Sequence, residues 1–128
     1  MEADTCRPRV LIVDDEQLNR DLMKRVLKYD YDVIAAEDAA DALALLRDNP
    51  DIRLVLCDQI MPDILGTRLA GQVRELRDDI RFVILTGYDE DPEIHTARNA
   101  GVIDAVMCKP WRSTEVKSLL RELLDGRR

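Results

Sequence analysis

The 128-residue chain carries 19 Lys and Arg against 26 Asp and Glu, a formal net charge of −7, with 46% hydrophobic and 35% charged residues. That length supports a single domain, 1–128 with its packed part at about 9–124, and the composition excludes a largely disordered chain. The acidic balance argues against nucleic acid, which demands a basic face, and no apolar run is long enough to span a membrane.

Met1-Glu2-Ala3-Asp4-Thr5 has neither the positive start nor the apolar centre of a signal peptide, so the chain is expected in the cytoplasm. Cys6, Cys57 and Cys108 have no metal-ligand spacing. Cys57 and Cys108 sit in apolar runs and read as small buried hydrophobes in a reducing compartment.

Arg9 to Val13 predicts a buried strand ending in Asp14-Asp15-Glu16. Leu18, Leu22, Met23, Val26 and Leu27 then form the apolar stripe of a helix from about Glu16 to Lys28. Tyr31 to Ala36 predicts a shorter strand, and Glu37-Asp38 open a helix with Ala39, Ala42, Leu43 and Leu46 on one face, which stops before Asn49-Pro50. Arg53 to Cys57 predicts the third strand, with Asp58 at its end. Gln59 to Gly66 reads as a loop, because Pro62 denies a helix donor and Gly66 permits an unusual backbone angle.

A third helix runs through Leu69, Val73 and Leu76 to about Arg77, followed by a strand from Arg81 to Leu85. Asp91 is the expected N-cap of a fourth helix, with Pro92 in its first turn and Gly101 at its end. Its apolar face is thin, only Ile94, Ala97 and Ala100, which marks it as the element that moves most easily. Asp104 to Cys108 predicts the fifth strand, closed by Lys109-Pro110. Ser113 is the expected cap of a last helix striped by Val116, Leu119, Leu120, Leu123 and Leu124. Five strands alternating with five helices predict an α/β fold, a three-layer doubly wound sandwich about a parallel sheet with right-handed crossovers.

In such a sheet ligands sit beyond the carboxyl ends of the strands. Asp14, Asp15, Asp58 and Thr86 each follow an apolar run, so neighbouring parallel strands would bring them to one crevice. Three carboxylates with no basic residue beside them in sequence repel one another unless a cation binds, and an all-oxygen set suits magnesium. The competing reading of Asp14 and Asp15, an N-cap on the first helix, needs only one of them.

Val13-Asp14-Asp15-Glu16, Asp58 with Met61-Pro62 and Gly66, Thr86-Gly87 and Lys109-Pro110, each at a strand end, resemble a response-regulator receiver domain over Arg9 to Leu124. The resemblance implies the flavodoxin-like strand order 2-1-3-4-5 and a phosphoaspartyl signalling switch rather than an enzyme with a separate substrate. It implies that Asp58 accepts a phosphoryl group from a histidine kinase or histidine phosphotransfer domain, and that Asp14, Asp15, Asp58 and the Ile60 backbone carbonyl hold Mg2+. Lys109 would pair with Asp58 at rest and with the phosphoryl group afterwards, in the family usually with a cis bond to Pro110, and the Thr86 hydroxyl would move to meet that group.

Gly87 would leave the approach open. Ile60 and Tyr88 fall where the family tunes the phosphoryl lifetime, and both are bulky enough to exclude the hydrolytic water. Val106 stands where the family usually carries Tyr or Phe, so no ring can rotate there and the switch would be read through the fourth helix and its loop. The signal would pass to an unidentified output partner or domain, from a monomer or a phosphorylation-dependent dimer. Two other readings stay open: an interaction module of receiver fold without the aromatic switch, and the regulatory domain of a larger enzyme, to which Asp58-Gln59 and Pro110-Trp111 bear a resemblance. Trp111 is either a half-buried packing residue or an exposed anchor, and His95 is expected in solvent.

Overall fold

Residues 7–87 and 91–125 are described by a computed structural model of the chain; Cys6 and Tyr88 lie outside the described residues. Strands β1 (Arg9–Val13), β2 (Asp32–Ala36), β3 (Ile52–Asp58), β4 (Arg81–Thr86) and β5 (Ala105–Cys108) alternate with helices α1 (Gln17–Leu27), α2 (Ala39–Asp48), α3 (Gly66–Leu76), α4 (Pro92–Asn99) and α5 (Ser113–Asp125). Every pairing is parallel, in the order β2-β1-β3-β4-β5.

Successive side chains of a strand face opposite sides of the sheet, and the three central strands divide their apolar residues accordingly. Leu11, Val13, Val55, Cys57, Phe82 and Ile84 pack in the layer with α2, α3 and α4. Val10, Ile12, Leu54, Leu56, Val83 and Leu85 pack with α1 and α5. Because both faces are covered, β3 is written from Leu54 to Cys57 as a continuous apolar run and not as an alternating one.

Helix α1 gives less to the core than its apolar stripe predicts. Met23 and Leu27 are buried and Val26 is half-buried, but Leu18 is 75% and Leu22 44% exposed. These two lie in the early turns of α1, beyond the edge of the sheet that β1 has just left. Leu76 at the end of α3 and Ala100 at the C-cap of α4 are exposed for the matching reason, since helix ends outrun the sheet. Cys108, at the end of edge strand β5, is exposed rather than buried.

The expectation of an unusual backbone angle at Gly66 also fails. Among the described glycines only Gly101 has a positive φ, 76°, just past the C-cap of α4. Gly66 opens α3 and is required for room: a Cβ there would lie 2.6 Å from the Asp58 carbonyl oxygen and 2.9 Å from Ile84 Cδ1. Gly66→Ala is therefore expected to cost about 1–3 kcal/mol, read as a lower urea midpoint. An unchanged midpoint would mean that α3 can move off β3 freely. Ser113 is the first residue of α5 and not its cap; the Glu115 carboxylate instead accepts the Arg112 N–H at 3.2 Å, half of a capping box.

At the amino edge of the sheet, Arg74 fastens the end of α3. Its Nε donates to Val102 O at 2.9 Å and its Nη2 to Asp104 Oδ2 at 2.8 Å, while that carboxylate also accepts the Phe82 N–H at 2.8 Å. This fixes the connection after α4, whose own buried side chains are only Ile94 and Ala97.

Candidate functional site

The parallel register sets Val13 beside Cys57 and Asp58 beside Leu85, so β1, β3 and β4 leave the sheet at one edge. The strand order reverses at β1, and a crevice opens outside the carboxyl ends at such a switch point. Asp14 follows β1, Asp58 ends β3, Thr86 ends β4 and Lys109 follows β5. Sequence reasoning named all four, and they converge.

A carboxylate oxygen from each of Asp14, Asp15 and Asp58 lies within 4.8 Å of the others. Lys109 Nζ donates to Asp58 Oδ1 at 2.8 Å, so a cation distant in sequence offsets part of the acidic charge. Neither aspartate caps α1. Glu16 holds that position with extended backbone and no side-chain cap bond, and its N–H donates to Asp14 Oδ1 at 2.9 Å. Arg20, which sequence reasoning did not single out, donates to the Asp14 carbonyl at 2.6 Å and not to the carboxylates.

Burial raises the Asp14 carboxyl above its ordinary range, the Asp58 charge adds to this, and the Glu16 N–H and Lys109 partly oppose it. The cluster therefore holds more negative charge than one ammonium relieves. Its all-oxygen donor set, with Asp15 exposed, fits a hard divalent cation that keeps waters, such as Mg2+. Cys57 contributes nothing ionic: burial, then Asp58, pushes its thiol far up, and its Sγ donates to the Asp58 carbonyl.

Thr86 is buried, and its carbonyl accepts the Lys109 N–H at 2.7 Å, which links the two residues through the backbone. The Lys109-Pro110 bond is cis. A Cβ on Gly87 would meet nothing within 4 Å, so the space there is open. Ile60 is 64% exposed at the rim, and Val106 is half-buried against the α2, α3 and α4 layer. Trp111 is half-buried against the α1 and α5 layer, the first of its two sequence alternatives, and His95 is exposed, as expected. An apolar cleft of about 430 Å³ runs from Asp14 and Lys109 between Leu22, Val26, Pro110 and Trp111.

The family model described as response regulator receiver domain matches residues 10–121. The chain belongs to that family. Receiver domains of response regulators are phosphoacceptor signalling modules of two-component phosphorelay systems. This one is 34% identical to the hydrogenase transcriptional regulatory protein HoxA of Bradyrhizobium diazoefficiens, over 91% of the present chain and 24% of HoxA. It is similar in structure to the signal receiver domain of an HD domain-containing protein from Pseudomonas fluorescens Pf-5, with TM-score 0.87, 28% identity, and 94% and 96% of the two chains covered. The response regulator TrrA of Thermotoga maritima, in complex with Mg2+ and BeF, is similar with TM-score 0.77 and 29% identity over 90% and 97%. The present receiver spans about a quarter to a half of the length of the curated relatives it matches. Among the described residues no helix is long and apolar enough to cross a membrane.

Proposed function

We propose that this receiver is a Mg2+-dependent switch charged on Asp58 by the phosphohistidine of a histidine kinase or phosphotransfer domain in the cytoplasm. The observation that carries the reading is a buried carboxylate 2.8 Å from a lysine ammonium, with two further carboxylates beside it at the carboxyl edge of a parallel sheet. An Asp58 carboxylate oxygen attacks phosphorus, the donor P–N bond breaks, its electron pair returns to the imidazole nitrogen, and an aspartyl phosphate results.

Asp14, Asp15, Asp58 and the Ile60 carbonyl are the residues that would hold Mg2+, whose charge offsets that of the transferring oxygens. Lys109 exchanges the Asp58 carboxylate for the phosphoryl group, a partner suited to a point charge. The Thr86 hydroxyl turns to the same group, and its backbone link to Lys109 makes the two responses one movement. Gly87 keeps the entry clear, while Ile60 at the rim, with Tyr88, restricts the hydrolytic water. The whole of 1–128 acts as one domain, and the greater length of its relatives supports an output carried by a further domain or partner. With Val106 in place of a ring, that output reads the position of α4.

Incubation with acetyl phosphate and Mg2+ tests this. One base-labile phosphoryl group per chain, mapped to Asp58 by peptide mass spectrometry, is the expected result. An unmodified chain, or modification at another residue, overturns the reading.

A further inference from the structure

Gln59, the residue after Asp58, is the most deeply buried polar side chain among the described residues, at 0% exposure. Its Oε1 accepts the Thr67 N–H at 2.9 Å, and its Nε2 donates to Thr67 Oγ1 and to Asp91 Oδ2, both at 3.3 Å. Because the Thr67 N–H can only donate, the amide oxygen must face it, which fixes the amide nitrogen toward Asp91. Asp91 is the N-cap of α4 through its other oxygen, which accepts the Glu93 N–H at 2.8 Å. Glu93 in turn accepts from Thr67 Oγ1 at 3.4 Å and from Arg68 Nη2 at 3.0 Å. One carboxylate thus both starts α4 and fastens it to the residue beside Asp58.

Beyond these polar contacts and the Glu93 bonds to α3, α4 is held by only two buried side chains, Ile94 and Ala97. Only four residues of chain separate Thr86 from Asp91, so a displacement of Thr86 toward Asp58 bears directly on the fastening. Gln59 is tied in the same way to the strand ends: its N–H donates to Leu85 O at 2.9 Å and its carbonyl accepts the Gly66 N–H at 2.8 Å. Three partners around a buried amide, one at its oxygen and two at its nitrogen, leave it no second orientation of equal energy.

We infer that Gln59 is a positioning residue, a latch whose amide holds α4 against the end of β3 in the phosphoryl-free state and sets how readily α4 follows occupation of Asp58. The coupling rests on the phosphoacceptor reading of Asp58, whereas the latch itself does not.

Asp91→Asn isolates it. Asparagine caps a helix as well as aspartate does and still accepts the Glu93 N–H, but it turns an amide nitrogen toward Gln59 Nε2, donor against donor. Amide hydrogen exchange across 92–99 is expected to quicken in the ligand-free variant, with β1 and β3 unchanged. Binding of Mg2+ and beryllofluoride, followed by Trp111 fluorescence, is expected to tighten about five- to tenfold because α4 no longer opposes the shift. Adding Gln59→Glu to Asp91→Asn again sets an acceptor against a donor, keeps an acceptor for the Thr67 N–H, and is expected to return both readouts toward the parent. Unchanged exchange in Asp91→Asn, or a double variant no nearer the parent than the single one, overturns the latch. A parent chain that does not bind beryllofluoride with Mg2+ overturns the reading of Asp58 instead, and the exchange measurement still decides the latch.

Discussion

Asp58→Asn is expected to abolish phosphoryl capture, with no modification under acetyl phosphate and Mg2+ conditions that label the parent fully. The amide copies the carboxylate in size, so the packing at the end of β3 is kept, but its oxygen carries no charge with which to attack phosphorus. The neighbouring acids are poor substitutes. Asp14 is buried with one oxygen held by the Glu16 N–H, and Asp15 is exposed outside the strand. Removing the Asp58 charge also removes one cause of the raised Asp14 carboxyl, so the metal-free variant is expected to melt at or above the parent temperature. Intact mass and a thermal melt read both effects. Full labelling moved to Asp14 or Asp15 would sink the assignment of Asp58 as nucleophile.

The parts of this site that are legible in the sequence are those that end apolar runs. A parallel sheet covered on both faces must be written as long hydrophobic strands, and a polar residue stopping such a run is conspicuous; Asp14, Asp58 and Thr86 were visible for that reason. What eluded the sequence depends on relations between distant elements. Leu18 and Leu22 have perfect helical spacing, yet whether a stripe is buried depends on where the helix overhangs the sheet. The sequence suggests freedom in φ at Gly66, whereas the need comes from the Asp58 carbonyl and Ile84, one at the end of β3 and one on β4. In the sequence Gln59 is only the first residue of a loop and one half of the Asp58-Gln59 pair. Its partners lie eight and thirty-two residues away, on α3 and before α4, and no local pattern announces a buried amide. A polar residue directly continuing a buried strand was the one available signal.

Val106 and Gln59 bear on the same question from opposite sides. A valine that is half-buried against the α2, α3 and α4 layer has one stiff rotamer and no ring to change places, so β5 itself transmits little. The polar chain from Gln59 through Thr67, Asp91 and Glu93 to Arg68 joins the acid-bearing strand to α3 and α4 on that same side. A start of α4 that is either fastened to Gln59 or released from it would supply the bistable element that a charge-driven switch requires.

Lys109→Met is expected to divide affinity from chemistry. Methionine keeps much of the lysine stem beside Pro110 and Trp111 but leaves the Asp58 carboxylate without the ammonium 2.8 Å away. With the Lys109 side chain one-third exposed, water takes up part of that loss, and the metal-free variant should be only about 1 kcal/mol less stable. Three unopposed carboxylates should then take Mg2+ more strongly, so the rise in melting temperature with millimolar Mg2+ is expected to exceed that of the parent. Phosphoryl capture from acetyl phosphate should nevertheless slow by about two orders of magnitude, because a fixed cation aimed at the transferring oxygens has gone. A lysine that merely closed β5 would change neither quantity. One that only balanced resting charge would change the melting response and leave the rate intact. Tighter metal with slower capture is the combination that only a group acting on the phosphoryl oxygens produces.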